Sequence, residues 1–165
     1  SPLSGLPMGT RCGDLDATVI QFLANHKHLS LHRIFEILNE KSGLLGLSET
    51  TSDMKNLWQE CQKGNKQAAL TIKILAYHIA KYIGAYTAAL NGLDAICFTG
   101  GLGENAFYVR AQVISYLSWM GVRLSAKKNK NNAPEISTPA SSVKVFIIPT
   151  DEERLILRYT HRLIS

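Results

Sequence analysis

No apolar run in the 165 residues approaches the length of a bilayer span, so a membrane helix is not expected. The opening Ser1-Pro2-Leu3-Ser4-Gly5 has no basic stretch followed by an apolar core, and it does not read as a signal peptide. Cysteine is scarce. Cys12, Cys61 and Cys97 cannot all pair within the chain, and their spacing is not that of metal ligands. Reduced thiols in the cytoplasm are the simplest reading. His28 and His32 stand four apart, but no HExxH pattern surrounds them, so they do not predict a metal site. Acidic residues are outnumbered, 13 against 18 Lys and Arg, which leaves a formal charge of +5. Such a balance favours anionic partners. Much of it sits in Lys127-Lys128-Asn129-Lys130-Asn131-Asn132, which lacks interleaved aromatics. That cluster reads as a solvated loop, and no nucleic-acid partner is expected. With 45% hydrophobic and 19% charged residues the composition is that of an ordinary globular domain with a real core.

What the chain does have is a glycine-rich segment, Thr99-Gly100-Gly101-Leu102-Gly103-Glu104-Asn105, directly after the apolar stretch Asp94–Phe98. An amphipathic run opens behind it at Ala106. The pattern predicts strand, glycine turn, helix. Glycines let a backbone approach a ligand closely and adopt positive φ, and the following helix offers unpaired N–H groups. A nucleotide or phosphate suits that arrangement, although neither GKS/T nor GxGxxG is present. The ordinary alternative is a turn whose glycines serve packing.

Around it the periodicity predicts a helix-rich α/β domain. Residues 1–13 read as a loop. A helix capped by Asp14 or Asp16 is expected to about Ala24, burying Val19, Ile20, Phe22 and Leu23 before a break at 25–28. Ser30 is expected to cap a second helix through Leu31, Ile34, Phe35 and Leu38. Residues 42–47 read as a loop, and a third helix starts at Thr51 or Ser52 and runs to about Gln62. The longest helix is expected from Lys66 to Leu90, with a stripe of Leu70, Ile74, Tyr77, Ala80, Lys81 and Gly84. Core strands are expected at 94–99 and 142–148, the first buried on both sides. Between them lie a helix over 105–120 and a short hairpin of 122–124 with 135–137. Thr150 and Glu153 form a capping box for a last helix from Asp151 to about Leu163. The strand–helix–strand order predicts parallel strands. Ligand turns then fall at their carboxyl ends.

Three separated motifs, Met8-Gly9-Thr10-Arg11-Cys12-Gly13-Asp14-Leu15-Asp16, Phe98–Asn105 and Ile148-Pro149-Thr150-Asp151-Glu152-Glu153, occur in the order found in acetate kinases. Ser52–Lys55 and Ala76–Gly84 extend the likeness. From end to end the chain resembles the C-terminal part of that family, within the sugar kinase, Hsp70 and actin superfamily. The resemblance implies a partial actin-like ATPase domain, the C-terminal portion of the second, nucleotide-binding domain over 1–165. It also implies that the N-terminal domain and the first strands of the second are absent. With them would go an asparagine that contacts Mg²⁺, a catalytic aspartate, a histidine-bearing phosphate loop and another substrate arginine.

The implied activity is reversible phosphoryl transfer from Mg-ATP to acetate, giving acetyl phosphate and ADP, by a cytoplasmic homodimer when full length. The isolated chain is then expected to be inactive. Propionate and butyrate kinases share this architecture, and a noncatalytic nucleotide-binding or interaction module is the reading from another class. By resemblance, Arg11 is catalytic and binds substrate. Arginine suits a transferring phosphoryl group because its planar fork meets two oxygens at once, whereas composition alone allows a salt bridge to Asp14 or Asp16. Gly101, Leu102 and Asn105 match positions around adenine and ribose, and Asp53, Met54 and Lys55 match a second adenosine segment. The family often has arginine at Lys55 and asparagine at Asp151. Glu152 matches the glutamate that helps hold Mg²⁺, while the helix dipole alone also explains both Glu152 and Glu153.

Overall fold

The computed structural model describes residues 3–164. After an irregular segment come α1 (Thr18–Lys27), α2 (Leu31–Glu40), α3 (Gly43–Ser48), α4 (Met54–Gln62) and α5 (Lys66–Ala89). Strand β1 (Ala95–Phe98) leads into α6 (Gly100–Asn105) and α7 (Phe107–Tyr116), and a 3₁₀ turn at Ser118–Met120 follows. Then come α8 (Ala126–Lys130), β2 (Lys144–Ile147) and α9 (Glu152–Ile164). Among the described residues no helix is long and apolar enough to cross a membrane.

The long helix α5 is the spine. Asn65 caps it, its side chain accepting from the N–H groups of Gln67 and Ala68. It turns Ala68, Thr71, Ile72, Leu75, Ala76 and Ala80 inward. These meet Leu57 of α4, Val109, Val113 and Ile114 of α7, and Ile96, Phe98, Val145 and Ile147 of the strands. Of the expected stripe only Ala80 is buried, while Leu70 and Tyr77 stand 47% and 54% exposed. The helix is apolar on most sides, so periodicity could not fix its phase. The alanines decided it, because they let α4 and α7 approach closely.

The strands pair in parallel, Ala95 opposite Lys144 and Phe98 opposite Ile147. Burial alternates along β1: Ile96 and Phe98 face the core, whereas Ala95 and Cys97 are exposed. The expectation of a strand buried on both faces is therefore corrected, since helices cover only one. On the far side of β2, Glu135 bridges Phe146 in antiparallel sense and Leu124 bridges Ser137, so the expected hairpin is reduced to single bridges.

Local chemistry moved several other boundaries. Helix α1 continues to Lys27 and ends on His28 at φ 53°, and none of its residues is buried. Asp16 acts just outside it, accepting from the Thr18 N–H and hydroxyl. Ser30 caps α2 as expected, and Ile34 and Leu38 are buried while Leu31 and Phe35 are not. The expected loop 42–47 is helical, because the free N–H groups of Leu44 and Leu45 find the carbonyls of Met8 and Gly9. A Cβ at Gly43, with φ +58°, would lie 2.1 Å from the Met8 carbonyl oxygen, so only glycine permits that docking.

Asp53, not Thr51 or Ser52, caps α4. The glycine turn is itself the short helix α6, and the expected helix 105–120 breaks at Ala106 and again after Tyr116. Ser125 caps a turn of helix through the lysine-asparagine cluster, whose lysines are exposed. The capping box fails. The Thr150 hydroxyl donates to Glu104, so Asp151 becomes the cap, accepting from the Arg154 N–H at 3.0 Å, and Glu153 stands one position too early.

The packing of α4 on α5 yields a direct prediction. Leu57, 0% exposed in the central cluster, loses about 2–5 kcal/mol of unfolding free energy when replaced by alanine. Leu90→Ala, at 71% exposure, changes it by about 0.5 kcal/mol or less. Urea unfolding with equal slopes for both variants measures the difference.

Candidate functional site

Asp53 has extended backbone and its Oδ1 accepts the Asn56 N–H at 2.7 Å, which starts α4 at Met54. Trp58 follows one helical turn after Met54. From α7, Tyr108 lays its ring flat on Trp58 with centroids 4.1 Å apart and planes 4° apart, and its hydroxyl donates to the Met54 carbonyl at 2.9 Å. Phe107 meets Trp58 edge-on at 5.9 Å. Burial pushes the Tyr108 phenol up to about 12, with the nearby Asp53 charge adding to it. Tyr108 is thus a neutral donor across the physiological range.

The other wall is α6, and its three glycines have three different reasons. Gly100 stands at φ +71°, where other residues are strained. A Cβ on Gly103 would lie 3.1 Å from the Phe98 carbonyl carbon, so this glycine packs against the strand end. A Cβ on Gly101 would have nothing within 4 Å among the described residues. Asn105 reaches back to the Gly101 carbonyl at 2.9 Å. Between α6, α4 and the start of α7 lies a cavity of about 440 Å³. It is lined by Asp53, Met54, Lys55, Gly101, Leu102 and Asn105, with Trp58, Ala106, Phe107 and Tyr108. All six residues that the resemblance assigns to the nucleotide therefore come together from two segments far apart in sequence. The aromatics Trp58, Phe107 and Tyr108 were not foreseen. Their signal was present: Trp58 stands four residues after Met54, and Phe107 and Tyr108 follow the glycine segment directly.

Glu152 opens α9 outside this cavity, but it is tied to it. Glu104, beside Asn105, accepts from the Thr150 N–H at 2.9 Å and hydroxyl at 3.1 Å. Those bonds hold its carboxyl below the usual carboxylate range. Among the described residues the Glu152 side chain has no hydrogen bond or ion pair within the chain.

Arg11 lies elsewhere, exposed, with Thr10, His32, Phe35, Glu36, Asn39 and Glu40 around a second depression of about 500 Å³. The salt bridge that composition allowed is not made. Asp14 is engaged by the Tyr82 hydroxyl and by the Gly5 N–H at 2.8 Å, and Asp16 by Thr18. The loop carrying Arg11 is fixed by its backbone, Cys12 donating to the Leu38 carbonyl at 2.9 Å and Met8 to that of Arg11 at 3.1 Å.

Comparison with known proteins gives a consistent answer. The acetate kinase of Pseudothermotoga lettingae is 45% identical over all of this chain, which covers 41% of that protein. The crystal structure of Porphyromonas gingivalis acetate kinase superposes with a TM-score of 0.91 at 40% identity, covering 100% of this chain and 42% of that one. The crystal structure of a propionate kinase from Francisella tularensis subsp. tularensis SCHU S4 gives 0.90 at 37% identity, covering 94% and 40%. The chain thus spans about two fifths of the length of the curated relatives it matches, and its two parallel strands and helices are part of their actin-like ATPase fold. Residues 1–158 match the Acetokinase family, and the chain belongs to it.

Proposed function

We propose that residues 1–165 form the C-terminal portion of a second, nucleotide-binding domain in a kinase that moves a phosphoryl group between Mg-ATP and a short-chain carboxylate, acetate or propionate. The observation that carries this reading is the cavity of about 440 Å³ lined by all six expected residues. Its flat aromatic wall suits a purine face, and the Asp53 carboxylate suits ribose hydroxyls. Gly101 supports it further. A Cβ there would have nothing within 4 Å among the described residues, which leaves room for a guest that approaches the backbone.

In the proposed reaction a carboxylate oxygen forms a bond to the γ-phosphorus while the bond from that phosphorus to the β–γ bridging oxygen breaks, leaving ADP and an acyl phosphate. Such a transfer depends on positioning and on neutralising charge spread over the equatorial oxygens. Among the described residues the Arg11 guanidinium makes no hydrogen bond or ion pair, and its loop is held by backbone hydrogen bonds, which fits that demand. Glu152 has a free carboxylate at a helix start. Among the described residues no group of three His, Cys, Asp or Glu is placed to hold a metal. One carboxylate with waters and substrate phosphates is a usual set for Mg²⁺, so the residues fit that ion. When bound, it supplies charge neutralisation on the phosphates. Glu104 keeps the Glu152 turn fixed relative to the nucleotide cavity. The relatives carry much chain beyond this stretch, so turnover is assigned to a protein of their full length and the 165 residues alone are expected to be inactive.

The test is an ADP titration followed by Trp58 fluorescence in a Trp119→Phe background. Quenching that Gly101→Val abolishes, with the melting temperature unchanged, is the expected result. Quenching that survives Gly101→Val, or none in the parent, sinks the cavity assignment.

The two remaining residues are separated by kinetics in the full-length kinase. Arg11→Ala lowers turnover about a hundredfold or more while leaving ATP affinity nearly intact. Glu152→Ala shifts the Mg²⁺ concentration for half-maximal rate upward, and Glu153→Ala does not. Equal metal dependence in the two glutamate variants would remove Glu152 from the metal.

A further inference from the structure

Arg110 is the largest side chain fully buried in the described structure, at 0% exposure. It takes part in none of the ion pairs among the described residues. Its guanidinium is satisfied instead by four neutral acceptors. Nε donates to the Asn129 side chain at 2.7 Å, and Nη1 to the Gly103 carbonyl at 2.7 Å. Nη2 donates to the Asn129 carbonyl at 2.8 Å and to the Asn132 side chain at 2.6 Å. Asn129 in turn donates its amide to the Phe107 carbonyl at 2.8 Å.

Burying a guanidinium is costly, and hydrogen bonds of this quality are what make it tolerable. Their targets are informative. Helix α6 buries none of its residues fully, and Leu102 packs partly buried against the core, so polar ties carry much of its placement. One runs to the interior from the Gly103 carbonyl, and another is the Glu104–Thr150 contact on the other side. Phe107, at the head of α7, is the other backbone that the network grips. These are the two segments that face Asp53, Met54 and Trp58 across the cavity.

We propose that Arg110 is a positioning residue for the nucleotide: from behind the cavity, its fork holds α6 directly and, through Asn129, the Phe107 backbone at the spacing the base and ribose require. This rests on the reading of the cavity as a nucleotide site. The role needs arginine. A rigid planar fork reaches Gly103, Asn129 and Asn132 at once, whereas a lysine ammonium is a single point of donors on a flexible stem.

Two variants test it. Arg110→Lys keeps the charge and loses the fork. Asn132→Gly removes one acceptor at an exposed position whose φ of 51° glycine adopts freely. Neither residue itself lines the cavity. In the full-length kinase, both are expected to raise the KM for ATP, about tenfold for Arg110→Lys and less for Asn132→Gly. The KM for the carboxylate should stay unmoved, and amide exchange should quicken over Gly101–Asn105 but not in α5. If Arg110→Lys does not fold, Asn132→Gly decides alone. Unchanged ATP KM and unchanged exchange in a folded variant overturn the positioning role and leave the nucleotide site standing. A parent protein whose cavity does not respond to ADP overturns the nucleotide reading and this inference with it.

Discussion

The packing of one stripe of α5 governs the rest of the molecule. Ala68, Ala76 and Ala80 are small enough for α4 and α7 to sit close on the same helix, and Leu75 fills the core between them. Once both rest there, Trp58 and Tyr108 lie face to face, and the Tyr108 hydroxyl finds the Met54 carbonyl. The cavity wall is therefore an indirect product of alanines several residues away. β1 joins the same core through Ile96 and Phe98, and that fixes where the glycine segment emerges. A protein in which α5 were displaced would lose the wall and the glycine helix together.

Around that apolar frame the site is finished with polar bonds. Glu104 holds Thr150, Arg110 holds Gly103, Asn105 holds Gly101, and Asp14 is pinned by Tyr82 and Gly5. Such contacts are directional, and each has one satisfactory geometry. Apolar burial supplies the driving force for the domain, while these bonds choose among its nearly equal arrangements. The division explains why α6 can be well placed while burying no residue fully.

Much of this was legible in the residues. The order of elements, the parallel pairing of the strands, the extent of α5 and the convergence of Asp53–Lys55 with Gly101–Asn105 follow from periodicity and from motif resemblance. What was missed has physical causes. The stripe on α5 was misphased because the helix is apolar on too many sides for periodicity to choose. α3 and α8 look like loops in sequence because what makes them helical is tertiary: carbonyls of Met8 and Gly9 in one case, and the Arg110 anchor on Asn129 in the other. The cap of α9 moved from Thr150 to Asp151 because Glu104, 46 positions away, claimed the threonine hydroxyl. Trp58 joined the site through a helical turn that the motif comparison did not extend to.

Asp53 closes a helix and lines a cavity with the same carboxylate. Oδ1 is committed to the Asn56 N–H, which leaves Oδ2 without a partner among the described residues. The carboxylate lines the cavity and offers a guest acceptor character only. An asparagine there would keep the cap through its carbonyl oxygen and present an NH₂ in place of Oδ2. The cavity edge would then offer a donor where it now offers an acceptor, so one atom beside a helix cap sets which hydrogen-bonding groups a guest can bring there.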